Sequence, residues 1–322
     1  MNPLNPPYLM IRDGLLKGRV IPLLGSGASE GGRRQNTKWT HGQRAYLPTT
    51  TELARHLAEK AGFPEEEELR LTKVAQYYDV VGGRNALNEE LHSIFDCDYP
   101  LTPVHTFLAD IPTPLLIVTT NYDDCIERAL KLKNREYDLV IHTTDAAAGD
   151  HLLWWEYGKP EPSKISPNKL DLGDLNARTV VYKMHGAVDR HWAERDQYVI
   201  TENDYIDFLS RMTKNKAVPA VFAEPFQSRH FLFLGYGLSD WNLRVVLNRI
   251  EKDLRRPKGI RSWAVQQDPS PLEQRFWQER GVEVYNKPLD EFVRELTSRQ
   301  ESQLEAPAWS HQVSNAVHRT KA

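Results

Sequence analysis

The chain has 322 residues, 40% hydrophobic and 26% charged, with 41 Lys and Arg against 44 Asp and Glu for a formal net charge of −3. That length suits about two domains or one large α/β domain with an insertion, and that apolar content excludes global disorder. The balanced charge argues against a protein whose main work is neutralising DNA phosphates, and two cysteines, Cys97 and Cys125, exclude a disulfide framework and any four-cysteine zinc site within one chain.

Residues Tyr8–Lys17 have helical spacing and lead into the apolar run Arg19–Leu24, which reads as a buried strand. It stops at Gly25-Ser26-Gly27-Ala28-Ser29. The polar stretch Glu30–Leu47, with Arg33, Arg34, Lys38 and Arg44, reads as a mobile loop. Thr49–Thr51 can cap a helix running through Lys60, with Glu52 near its N-terminus. Further helices are predicted at Glu65–Asp79, Asn85–Phe95 and Pro103–Asp110, so residues 48–112 read as a helical insertion. Strands follow at Leu115–Val118, Asp138–Ile141, Val180–Met184, Phe231–Leu234, Ser262–Val265 and Val282–Tyr285. Helices are predicted at Asp124–Leu132, Asn242–Leu254, Pro271–Arg280 and Leu289–Arg299. Thr143–Arg178, containing Trp154 and Trp155, is too long for an ordinary connection and reads as an excursion.

Short apolar strands alternating with helices predict an α/β fold, a doubly wound parallel sheet of Rossmann-like type over residues 1–299, with a polar tail at 300–322. No run approaches the ~20 apolar residues of a membrane helix, and the N-terminus lacks a signal-peptide pattern. A soluble, cytoplasmic chain without membrane contact is expected, and direct nucleic-acid binding is not.

Four strand ends carry groups suited to a ligand, and ligands of doubly wound sheets bind at the carboxyl edge. Gly25–Ser29 can bring backbone N–H groups against a phosphate. Thr119–Asp123 offers Asn121 as donor and acceptor and Asp123 as a carboxylate. His185, with Gly186 directly behind it, can exchange a proton near neutral pH. Gly235–Asp240 adds glycines, Ser239 and Asp240. Each has a plainer reading: a tight turn, a helix cap by Thr120, Asp123, Ser239 or Asp240, or a structural histidine. Together the four point to a nucleotide.

This set and its order resemble the sirtuin superfamily, whose strand-end motifs run Gly-Ala-Gly-x-Ser, Thr-Gln-Asn-x-Asp, His-Gly and Gly-Thr-Ser. The phrases Tyr198–Tyr205 and Gly237–Arg244 look more like the sirtuin-like domains of bacterial antiphage defence than the protein deacylases. Two departures support that branch. Residues 187–230 contain no cysteine where deacylases carry a zinc module, and the Gly-Ile-Pro-Asp-Phe-Arg segment is replaced by Glu30–Leu47.

The resemblance implies NAD as substrate and its hydrolysis to nicotinamide and ADP-ribose, with no zinc expected. Nicotinamide leaves as a neutral molecule, so the paired carboxylates of ordinary glycosidases are not required. By the same resemblance Gly25, Ser26 and Gly27 take the phosphates, and Ser29 belongs to the nucleotide-binding set. Asp123 holds the carboxamide end, Asn121 orients water and ribose, and His185 bonds the ribose hydroxyls or accepts the water proton. Gly235, Ser239 and Asp240 face the adenosine half. Homo-oligomers and control by a separately encoded ATPase or nucleic-acid-guided partner are further expectations. Two other readings stay open: an NAD-dependent deacylase or ADP-ribosyltransferase, and a non-catalytic sensor of NAD or ADP-ribose.

Overall fold

A computed structural model describes residues 5–33, 37–144, 151–213, 218–237 and 260–304. The strands are β1 (Val20–Leu24), β2 (Leu116–Thr119), β3 (Tyr137–His142), β4 (Leu152–Trp155), β5 (Ser163–Ile165), β6 (Thr179–Lys183), β7 (Gly186–Ala187), β8 (Gln197–Tyr198), β9 (His230–Leu234), β10 (Ser262–Gln266) and β11 (Val282–Asn286). Nine of them form one sheet in the order β11-β10-β9-β1-β2-β6-β3-β4-β5, parallel from β11 to β3. β4 and β5 add to its edge antiparallel, and β7 pairs with β8 separately.

The alternation of side chains along each strand fills both faces. Ile21, Leu23, Leu116, Val118, Phe231 and Phe233 enter one core, whereas Val20, Leu24, Ile117, Leu232 and Leu234 enter the other. Pro22 is unexpected in a central strand, because it has no N–H to donate. Odd-numbered residues of this segment bond β9: Gly25 N–H donates to Leu234 O, and Arg19 O accepts from His230 N–H. Pro22 therefore turns toward β2, whose register with β1 begins only at Leu23.

Helices cover the sheet. In chain order they are α1 (Tyr8–Leu16), α2 (Thr50–Ala61), α3 (Leu71–Gly82), α4 (Arg84–Phe95), α5 (Pro103–Asp110), α6 (Cys125–Leu132), α7 (Glu202–Thr213), α8 (Ala223–Ser228), α9 (Pro271–Gln278) and α10 (Leu289–Leu304). α2, α3 and α4 share a core of Leu53, Leu57, Val74, Leu87 and Leu91. α5 leaves that group, placing Val104 and Phe107 against Ile11 of α1 and Phe292 of α10.

Several segments differ from the sequence reading. α3 starts at Leu71 rather than Glu65, because the exposed Glu65–Glu68 run offers no apolar stripe to bury. The 143–178 excursion contains β4 and β5. Trp154 and Trp155 alternate on β4, Trp154 covering the main core and Trp155 the smaller Ile141–Leu153 cluster. The loop read as mobile is anchored instead. Arg33 Nη1 donates to Glu52 Oε2 at 2.7 Å, the Trp39 amide donates to Glu52 Oε1 at 2.8 Å, and Trp39 and Leu47 are buried with α2–α4. Glu52 also closes a capping box with Thr49, and the Arg33 hydrogen bond holds its carboxyl down at about 2. The last helix runs to Leu304, past Arg299. The predicted helix Asn242–Leu254 and residues 305–322 lie outside the described residues.

Candidate active site

A cavity of about 530 Å³ opens at the carboxyl ends of β1, β2, β6 and β9, beneath α2 and the start of α3. Small-molecule pockets span roughly 300–1,000 Å³. The cavity lies where the chain order reverses: from β1 the chain goes to β2 on one side, while β9 flanks the other. Gly25, Ser26, Ser29, Asn121, Asp123, His185 and Gly235 line it. Gly27 does not, and Ser239 and Asp240 lie outside the described residues.

The two glycine turns serve one another rather than offering a nest of amides. Gly235 has φ +71, and a Cβ there would overlap the Ala28 amide; a Cβ on Gly25 would sit 2.7 Å from Gly235 O. That contact requires glycine on both sides. Gly25 N–H donates to Leu234 O and Gly27 N–H to Gly235 O, each at 3.0 Å. Ala28 and Ser29 N–H groups close on Gly25 O and Ser26 O. The Gly25 and Gly27 amides are therefore engaged by β9 and the facing turn. Among the described residues, Ser26 is the one member of this turn whose amide has no acceptor.

Asn121 is set by the buried Thr119, whose hydroxyl donates to Leu24 O and accepts from the Asn121 amide at 3.0 Å. Both Asn121 Nδ2 hydrogens are engaged, on Gly25 O at 3.0 Å and Ser29 Oγ at 3.2 Å. That network assigns the amide orientation and leaves Oδ1 as an acceptor for a ligand. Ser29 Oγ in turn donates to Asp123 Oδ2 at 3.0 Å and stands 3.5 Å from His105 Nε2. His105 Nδ1 accepts from the Thr102 amide, so Nε2 carries the proton. With one donated and two accepted bonds the Ser29 hydroxyl is saturated. It positions Asn121 and has nothing left for a phosphate.

Asp123 is buried, with Oδ1 accepting from Cys125 N–H at 3.0 Å. Burial pushes its carboxyl up, but Lys183, His105 and the Cys125 amide outweigh that and leave it below the usual range. Lys183 lies 2.8 Å from Glu127 Oε1 and donates to the Asp123 carbonyl. Burial opposes its charge, and Glu127 and Asp123 together keep it protonated. Tyr122 is at the cavity wall, its ring meeting Phe95 and Tyr198 edge-on at 5.3 Å and its hydroxyl donating to Val199 O, which ties α4 to this turn.

His185 sits at the cavity wall, 5% exposed, edge-on to Tyr205 and Phe208 of α7 at 5.3 Å. Burial alone lowers its imidazole to about 4, so it is neutral at pH 7. Gly186 behind it has φ +86, and a Cβ would overlap Gln197 O of β8. This glycine admits the β7–β8 ribbon, not a ligand. Sequence reasoning passed over Arg70, the one lysine or arginine lining the cavity among the described residues. Among the described residues its guanidinium meets one exposed carboxylate, Glu68 at 3.1 Å.

A parallel sheet with a cavity at its switch point, and an Asn–Ser–Asp network beside a neutral histidine, defines a Rossmann-like α/β protein with a candidate ligand site at the carboxyl edge of its sheet. The family model for a SIR2-like domain matches residues 115–285, more than half of the chain, and the chain belongs to that family. It is 32% identical over 200 residues to an NAD(+) hydrolase ThsA of Acinetobacter baumannii, covering 62% of this chain and 35% of that protein. A ThsA of Bacillus cereus is 29% identical over 206 residues, covering 62% and 37%. Defense-associated sirtuin 2 of Bacillus subtilis is 24% identical over 229 residues, covering 70% and 19%. The chain thus spans between about a fifth and two fifths of the length of these relatives.

Proposed function

We propose that this chain hydrolyses NAD to nicotinamide and ADP-ribose as an effector of bacterial antiphage defence. The observation that carries the reading is the placement of Asn121 Oδ1 and the neutral His185 on one cavity at the switch point. The names of the relatives, NAD(+) hydrolase and defense-associated sirtuin, support it. As nicotinamide departs, Asn121 Oδ1 accepts from the attacking water or a ribose hydroxyl, and His185 takes the proton released. Asp123 holds Ser29 and through it Asn121, with its carboxylate near the carboxamide end. Ser26 and Arg70 meet the diphosphate, whereas Gly25, Gly27 and Gly235 let the two turns close. Ser239 and Asp240 remain assigned to the adenosine half. Control by homo-oligomerisation, or by a separately encoded ATPase or nucleic-acid-guided partner, belongs to the same proposal. Among the described residues no helix is long and apolar enough to cross a membrane.

The test is chromatography of NAD incubations, with and without an acylated peptide, over a range of protein concentrations. Nicotinamide and ADP-ribose in equal amounts without peptide support hydrolysis. Release only with peptide returns the deacylase reading, and saturable binding without release returns the sensor. Asn121→Ala should lower kcat by about 10²-fold through lost positioning; a change confined to KM would make Asn121 a binding residue only. Arg70→Gln should raise KM about tenfold with little change in kcat, the lower end of a charge-assisted bond at an exposed site. An unchanged KM would place the diphosphate elsewhere.

A further inference from the structure

On the helical module, three side chains from three separate segments converge. His41 comes from the anchored loop, His56 from α2 and Glu90 from α4. His56 Nε2 lies 2.5 Å and His41 Nε2 3.7 Å from the same oxygen, Glu90 Oε1. The donor atoms all lie within 4.8 Å of one another. The two imidazoles stack at 4.9 Å and 7°, and Trp39 meets the His56 ring edge-on at 5.4 Å. His41 Nε2 is also 3.1 Å from Ser93 Oγ, and Lys60 holds the other Glu90 oxygen at 3.6 Å.

We propose that His41, His56 and Glu90 form a binding site for one divalent transition-metal ion of the zinc class. The ligands are the two Nε2 atoms and Glu90 Oε1, with water completing a tetrahedron. Two imidazoles and one carboxylate suit zinc, cobalt or nickel, whereas magnesium and calcium select oxygen donors. Tetrahedral bonds of ~2.0–2.1 Å place ligand atoms roughly 3.3 Å apart, so binding would open the 2.5 Å His56–Glu90 pair and draw His41 inward from 3.7 Å. His41 can supply that movement, being 41% exposed on a loop. Lys60 occupies Oε2 and leaves Oε1 to the metal. The expectation of no zinc was drawn from cysteines, and this donor set contains none.

The consequence is mechanical. The loop carrying His41 ends at Leu47 and Pro48, which wall the cavity. A metal joining His41 to α2 and α4 would fix that wall by coordinate bonds, whatever reaction the cavity performs.

The experiment strips the full chain with chelator and titrates it with ZnCl₂ by calorimetry and with CoCl₂ by visible absorption, while melting is followed in parallel. The expected result is one equivalent bound at micromolar affinity or tighter, a tetrahedral cobalt band and a raised Tm, with no response to MgCl₂. His41→Asn and His56→Gln should each weaken binding beyond the ~10–100-fold worth of an outer-shell partner. Binding only at millimolar zinc, or one-equivalent binding unchanged in both variants, would overturn the proposal. His41→Asn lies on the exposed loop, so it tests the site even where His56→Gln does not fold.

Discussion

Replacing His185 by alanine is expected to lower the rate of nicotinamide release by about 10²–10⁴-fold, the usual worth of a positioned acid–base group. The ring is buried against Tyr205 and Phe208, and its pKa is lowered by burial to about 4. At neutral pH it therefore keeps an unprotonated nitrogen that can accept from water or a ribose hydroxyl. Protonation removes that acceptor. Activity should stay level as pH falls through 6.5 and drop only as it approaches about 4. The lowered pKa has a stability consequence as well. His185 and His105 both have folded values near 4 against 6.5 in the open chain, so protons favour the unfolded state. Their contribution is complete above 6.5 and is lost progressively as pH falls toward 4, each tenfold difference in proton affinity being worth about 1.4 kcal/mol. His185→Gln should thus show a shallower fall in Tm between pH 7 and pH 5 than the parent. Unchanged turnover in a folded His185→Ala chain would remove His185 from the mechanism. An acid limb at 6.5 would contradict the buried neutral ring.

The frame of the fold was legible because its signal is local. Strands such as Val20–Leu24 announce themselves by unbroken apolar residues, and their ends by Gly25, Asn121, His185 and Gly235. The location of the cavity followed from those ends. The work of individual residues did not, because it depends on contacts across the fold. Gly25 and Gly27 look like amide donors until Gly235 is seen pressed against them. Ser29 belongs with the nucleotide-binding set in the sequence, and only the fold shows Asn121, Asp123 and His105 saturating its hydroxyl. His105 lies inside a correctly predicted helix, where its spacing from Thr102 signals only a capping box. The Glu30–Leu47 loop reads as free because its anchor, Glu52, belongs to the following helix. Arg70 follows four glutamates and resembles part of a solvated charge run, yet the fold places it on the cavity.

Lys183→Met is the second large effect, expected to cost about 3–5 kcal/mol because it strips one partner from a buried ion pair. Lys183 is the last residue of β6 and 1% exposed, and Glu127 Oε2 already lacks a hydrogen-bond partner. Without the ammonium, Glu127 must take up a proton to remain buried, and burial already raises its carboxyl. A raised folded value favours the native state below the open-chain value of 4.5 and penalises it above. The deficit of Lys183→Met should therefore be small in acid and grow toward pH 7. Adding Glu127→Leu should recover most of the lost stability, since an apolar pair of similar volume is often neutral in such a place. Activity should not recover with it. Lys183 also donates to the Asp123 carbonyl, and Asp123 holds Ser29 against Asn121, so both variants lose the same anchor. Denaturant unfolding at pH 5 and pH 7, beside turnover of each variant, separates the two roles. A single-variant cost below about 1 kcal/mol would mean that the pair is not charged. Recovery of turnover in the double variant would mean that Lys183 only balances Glu127 and leaves the Asn121 network untouched.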